Sequence, residues 1–348
     1  MLRASSQHSN YKSIMFMRIF ILLFLSLSAL WGCSSANNAS EKYQSRRNQI
    51  IDVKDKLIGF NQEDVFLRDS PITVGGNFAI LTDYGINNKF IHLFSRKDLS
   101  YITSFGERGE GPGEIVNIGD VMVSDNEKSI YVIDYGHFVV YEYELDSILS
   151  NDNYKPTIKS RLDPSLFPSW ITFISDTLAY GKFITPKGTS THSEVAGKWN
   201  LQTGEIKIYD YQHPDVEIKR IMVGASQKQG IYVEANNRYD LLSIFDLHGN
   251  LKYNVYGPNW ERRYDNKQHF RNVVIYKNRI IAMYDGELYE KLSLPRVCHV
   301  FDLEGNYLKT LDLGAPIIRM SVDEEYDRLF FCFDDALQFA YLDLKEVL

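Results

Sequence analysis

The residues in this sequence best suited to chemistry are three arginines, Arg220, Arg271 and Arg319. Each opens a short apolar segment at a corresponding point of a repeating pattern, and Asp120 and Trp170 hold that point in two other copies. If a fold brings these positions together, three guanidinium groups would favour an anionic group, gripping it through paired N–H donors. The competing expectation is that each arginine pairs with a neighbouring aspartate and does nothing else. Connecting segments add Tyr84, Tyr135, His137, Tyr239 and Tyr284. Their rings could stack on a sugar or simply close the ends of strands. Asp83, Asp120 and Asp134 offer carboxylates to a calcium-type ion, which would polarise a substrate.

Sequence motifs for catalysis are missing. There is no H-E-x-x-H, no G-x-S-x-G and no EF-hand loop. Gly224-Ala225-Ser226 lacks the following glycine of a nucleophile elbow, and Asp125–Glu127 lacks the glycine and distal glutamate of a calcium loop. His92, His137, His192, His213, His248, His269 and His299 show no ligand spacing. No catalytic residue is therefore assigned, and no cofactor is expected apart from the calcium-type alternative. Lys and Arg total 38 against 45 Asp and Glu, a net charge of −7 without basic blocks. That argues against nucleic acid, whose phosphates need clustered cations.

The beginning of the chain reads as a targeting segment. Arg3, Lys12 and Arg18 precede Ile19–Leu30, an uncharged run too short to span a bilayer. Translation could start at Met1, Met15 or Met17. Leu30-Trp31-Gly32-Cys33 follows. It resembles a bacterial lipobox, with Trp31 as the departure from the usual pattern. The resemblance implies that residues 1–32 are a signal peptide and that Cys33 is lipidated. Several acyl chains anchor durably where one does not. Residues 33–48 then read as a flexible tether, through the small polar run Ser34–Ser45. The uncharged residues Ser34–Asn38 favour a periplasm-facing anchor in the outer membrane of a Gram-negative envelope. Cys298 and Cys332 lie in apolar strand text, as buried thiols or as a disulfide.

The elements that must position the candidate residues come from a repeat. An alternating phrase begins at Ile91, Val139, Ala196, Leu242, Cys298 and Phe339, at intervals of 41 to 57 residues. A second pair of short strands precedes each copy, as in Val121–Val123 and Ile130–Asp134. Each unit thus holds four antiparallel strands. Six units predict an all-β, six-bladed β-propeller over residues 49–348. The sixth unit lacks its outer strand, which a segment near Lys56–Phe66 would supply.

Gly106-Glu107-Arg108-Gly109-Glu110-Gly111-Pro112-Gly113-Glu114 joins the first two units. A phosphate cradle would need different glycine spacing and a following helix, so this is a structural turn. With the lipobox and the six units, it resembles the TolB-like or NHL-like six-bladed propeller lipoproteins of Bacteroidetes. The resemblance implies fold and compartment and is silent on activity. The expected function is a lipid-anchored, monomeric envelope module that binds a glycan, a peptide or a partner protein through its loop face. The alternative is a metal-dependent hydrolase or lyase at the channel mouth.

Overall fold

A computed structural model describes residues 40–60, 70–84, 88–151, 153–188 and 191–348. The segment expected to be a signal peptide, residues 1–32, and Cys33 lie outside the described residues. The compact unit is Lys42–Leu348.

Three short strands come first: β1 (Glu41–Tyr43), β2 (Ile50–Asp52) and β3 (Ile58–Gly59). Blade one follows as β4 (Ile72–Gly75), β5 (Phe78–Thr82), β6 (Lys89–Ser95) and β7 (Tyr101–Glu107). Blade two is β8 (Ile118–Val123), β9 (Ser129–Asp134), β10 (Val139–Glu144) and β11 (Thr157–Arg161), with a helical turn Leu145–Ser150 before its last strand. Blade three is β12 (Phe167–Ser175), β13 (Leu178–Pro186), β14 (His192–Asn200) and β15 (Ile206–Ile208). Blade four is β16 (Ile221–Ser226), β17 (Ile231–Asn236), β18 (Leu241–Asp246) and β19 (Leu251–Tyr256). Blade five is β20 (Lys267–Tyr276), β21 (Arg279–Leu288), β22 (Val297–Phe301) and β23 (Tyr307–Asp312). Blade six is β24 (Ile317–Asp323), β25 (Arg328–Phe333) and β26 (Phe339–Asp343), completed by β3.

The second strand of a blade is covered on both faces, and β9 and β17 are buried at every position. This follows from the architecture: each blade lies between two others, so both faces of its middle strands lose water. The core is correspondingly divided among the blade boundaries. Ile80 and Phe90 pack on Ile130 and Val132 between blades one and two, and Phe183 and Trp199 join Tyr131 between two and three. Ile72 and Phe94 meet Phe330 and Cys332 between blades one and six, which closes the ring. Arg96 of blade one grips Asp323 of blade six with two contacts, Nη2–Oδ1 at 2.6 Å and Nε–Oδ2 at 3.0 Å.

The latch forms as the incomplete sixth unit requires. β3 pairs antiparallel with β26, Ile58 opposite Tyr341 and Gly59 opposite Ala340. The segment ahead of it differs from the tether expected over 33–48. β1 lies beside β19, and Gln44 donates its backbone N–H to the Tyr256 carbonyl. Tyr43 stacks on Tyr256 with ring centroids 4.4 Å apart. β2 runs parallel to β23. Residues 42–59 therefore form a strap across blades four, five and six. Of the tether expected over 33–48, the described residues 40–48 include β1, Glu41-Lys42-Tyr43, whose edge pairing needs only backbone groups.

Cys298 and Cys332 are buried and are not joined in a disulfide. They sit in different cores, the first between blades five and six and the second between six and one.

Candidate functional site

The first strands of the blades, β4, β8, β12, β16, β20 and β24, line a central channel of about 780 Å³. Four of these strands break register near the end from which they start. Gly119–Asp120 is bulged in β8, Trp170 in β12, the stretch around His269 and Arg271 in β20, and Ile318 in β24. A bulge re-aims side chains and is favoured beside functional sites. These irregularities coincide with the predicted positions Asp120, Trp170, Arg271 and Arg319.

Two glycines permit this geometry. A Cβ on Gly119 would lie 2.6 Å from the Tyr135 ring, so glycine lets that ring approach Asp120. A Cβ on Gly181 would lie 2.7 Å from the Trp170 carbonyl oxygen. Trp170 itself has φ of +61°, a left-handed conformation costly for a bulky residue.

Beside the channel lies a second cavity of about 460 Å³, which shares Arg319 with it. Arg220, Arg271 and Arg319 all line it, together with Lys182. Glu194 is the carboxylate in that wall, and several groups share it. Lys182 Nζ is 3.4 Å from Oε1, His192 Nε2 3.2 Å, Arg220 Nε 3.8 Å, and the Ile221 N–H donates to Oε2 at 2.9 Å. Arg271 makes no hydrogen bond or ion pair among the described residues. Its charged neighbours are Asp285 and Arg319, and burial pushes its guanidinium below its ordinary range. Arg319 lies over two rings, 5.4 Å from the Trp170 centroid and 6.0 Å from that of Tyr84. These aromatics brace a cation, a use the sugar-stacking expectation did not foresee.

Asp120 sits just inside the channel. It accepts from the Ile171 N–H at 3.2 Å. Burial pushes its carboxyl up to about 6, against the pull of the Ile171 N–H, Arg319 and Lys182. Tyr135 is held protonated, pushed well up by burial and by the neighbouring Asp120.

Other candidates lie elsewhere. Asp134 is wholly buried and brackets a turn: it accepts from the N–H groups of Val116, Asn117 and Gly136 and lies 2.7 Å from His137 Nδ1. His137 is thereby committed to that turn. Tyr239 is buried against Val216, Leu241 and Trp260, so its ring belongs to the core and not to the mouth. Tyr284, read as part of a connecting loop, lies inside the ten-residue strand β21. Its ring packs on Phe270 and its hydroxyl meets Asn259 at 3.0 Å. Gly286, φ +80°, is a strand irregularity and not a turn. In blade three the corresponding strands are long as well, β13 running to Pro186 and β14 starting at His192. Asp83 is buried. Among the described residues, no group of three His, Cys, Asp or Glu side chains has metal-holding geometry. Lys182, Glu194 and Gln268 were missed. The visible signal was a lone lysine inside the apolar text Tyr180–Ile184.

A closed ring of six four-stranded blades around a central channel defines a six-bladed β-propeller. The chain belongs to the TolB-like 6-blade propeller-like family, whose model matches residues 60–325. Among solved structures it is similar to a Bacteroides fragilis protein inferred to be exported, with 11% identity, a TM-score of 0.51 and coverage of 84% of this chain and 87% of that one. A member of the duf4221 family from Bacteroides vulgatus has 10% identity and a TM-score of 0.53, covering 83% and 97%. U3-55K is similar at 10% identity and a TM-score of 0.53, covering 83% and 99%. At these identities the likeness concerns the fold alone. No curated protein matches the chain.

Proposed function

We propose that this propeller is a lipid-anchored envelope module that binds an anionic ligand, part of a glycan, peptide or partner protein, at the mouth of its channel. The observation that carries the reading is the convergence of Arg220, Arg271, Arg319 and Lys182 on one cavity of a chain whose overall charge is −7. A concave site of this size falls in the usual range for small ligands, about 300–1,000 Å³. Cations on low-dielectric walls concentrate anions locally. The lipobox at Leu30–Cys33 supports an envelope location, as does the inferred export of the Bacteroides fragilis protein.

The test is an array of anionic and neutral glycans and peptides, probed with the full chain in detergent. Hits are measured by calorimetry on the wild type and on the triple variant Arg220→Ala, Arg271→Ala, Arg319→Ala. Loss of binding with thermal unfolding still cooperative is expected. Unchanged affinity in the triple variant removes the mouth as the site.

A further inference from the structure

Resting on that reading, we propose that the mouth takes a polyhydroxylated carboxylate, a sugar acid either free or as the acidic unit of a glycan. Two unmet needs in one wall carry this. Arg271 is partly enclosed and has no hydrogen bond or ion pair among the described residues. The carboxyl that acts on it, Asp285, is engaged by Ser293 Oγ at 2.9 Å. A guanidinium so placed calls for an anion with two acceptor oxygens.

Gln268 lines the same cavity, and its amide oxygen is enclosed with no donor among the described residues. Deeper in, the Ser321 hydroxyl of the channel wall is enclosed without a partner as well. A buried acceptor left unmet costs its desolvation, so the site selects a ligand that brings a donor. An anion built of acceptors alone would satisfy Arg271 and oppose Gln268. A carboxylate flanked by hydroxyls satisfies both. Polar and charged side chains make most of the lining, so the gain comes from hydrogen bonds and not from apolar anchoring.

The experiment is calorimetry on the full chain in detergent with six probes: glucuronate, an oligogalacturonate, glucose, cyclohexanecarboxylate, inorganic phosphate and tri-glutamate. Glucuronate is expected to bind at least about tenfold tighter than glucose or cyclohexanecarboxylate, since a site built for hydroxyls rejects an analogue lacking them. Tighter binding of the oligogalacturonate identifies the polymer as the source, and the reverse identifies the free acid. Arg271→Gln should weaken glucuronate by about tenfold or more. Gln268→Leu should erase the preference for glucuronate over cyclohexanecarboxylate, with Gln268→Glu as the second variant should the first unfold. Equal affinity for glucuronate and cyclohexanecarboxylate overturns the proposal. So does stronger binding of phosphate or tri-glutamate that still requires Arg271, which leaves the anionic mouth intact. Failure of glucuronate and oligogalacturonate to bind also overturns it, and the array with the triple variant then judges the wider reading separately.

Discussion

Arg47 reaches Asp240 from the leading strap, its Nη1 2.7 Å from Oδ1, with 3% and 0% of the two side chains exposed. The guanidinium also lies over the rings of Phe270, Tyr284 and Phe301. Asp240 accepts from the Asn259 N–H at 3.1 Å as well. This pair ties a segment of tether-like composition to the boundary between blades four and five.

Removing one member of a buried pair strands the other charge, typically at a cost of about 3–5 kcal/mol. Arg47→Ala should therefore lower stability to urea by an amount in that range. Tyr43→Ala, at a residue 71% exposed, should cost less than about 1 kcal/mol. Equal effects would mean that the strap is held by its strands and not by the ion pair.

Trp170 combines a left-handed backbone with a ring against Arg319. Trp170→Gly relieves about 1–2 kcal/mol of backbone strain and surrenders the packing of the ring. The global stability should change little. Anion affinity at the mouth should fall about fivefold, the scale of one cation–π contact, measured by titration of whichever ligand the array supplies.

Gly181 faces the Trp170 carbonyl, an atom of the backbone that cannot swing aside. Gly181→Ala should destabilise by about 1–3 kcal/mol through overpacking. A thermal midpoint unchanged within error would show that the β12 bulge can relax.

Asp120 titrates near pH 6 when folded, above its ordinary value. The folded state thus prefers the neutral form. The resulting stability is fully present below about pH 4 and is lost as pH rises through about 6, by at most about 3 kcal/mol. Asp120→Asn should flatten that slope between pH 4 and 6. Protonation also removes a negative charge near Arg319, so anion affinity should rise as pH falls from 7.5 to 5 in the wild type and stay flat in the variant. An identical pH profile in both proteins would exclude Asp120 as its source.

Cys298 is enclosed 3.6 Å from Met320 Sδ, and burial raises its thiol far above the ordinary range. The thiolate is the reactive form. Neither Cys298 nor Cys332 should be alkylated by iodoacetamide in native protein, and both should be labelled after denaturation, as read by mass spectrometry. Native labelling of either would place it outside the core described.

The sequence alone determined the repeat, the six blades and the sharing of the last blade between the chain ends. Alternation at period two is a local property, set wherever one face meets a core, and it recurs in every blade. The same local logic marked Arg220, Arg271 and Arg319, because equivalent positions in a closed ring converge. Only the tertiary structure decided what those residues meet. Arg319 found rings where sugar contacts were expected, Tyr239 and Tyr284 went into the core, and Gln268 and Lys182 entered the mouth without any motif. The strap was invisible because β1 and β2 are three residues each, too short to carry a pattern. Their place is set by free edges on β19 and β23 and by a buried aspartate some 190 residues away. Such choices depend on which surfaces the finished ring leaves unpaired, and no local stretch of sequence encodes that.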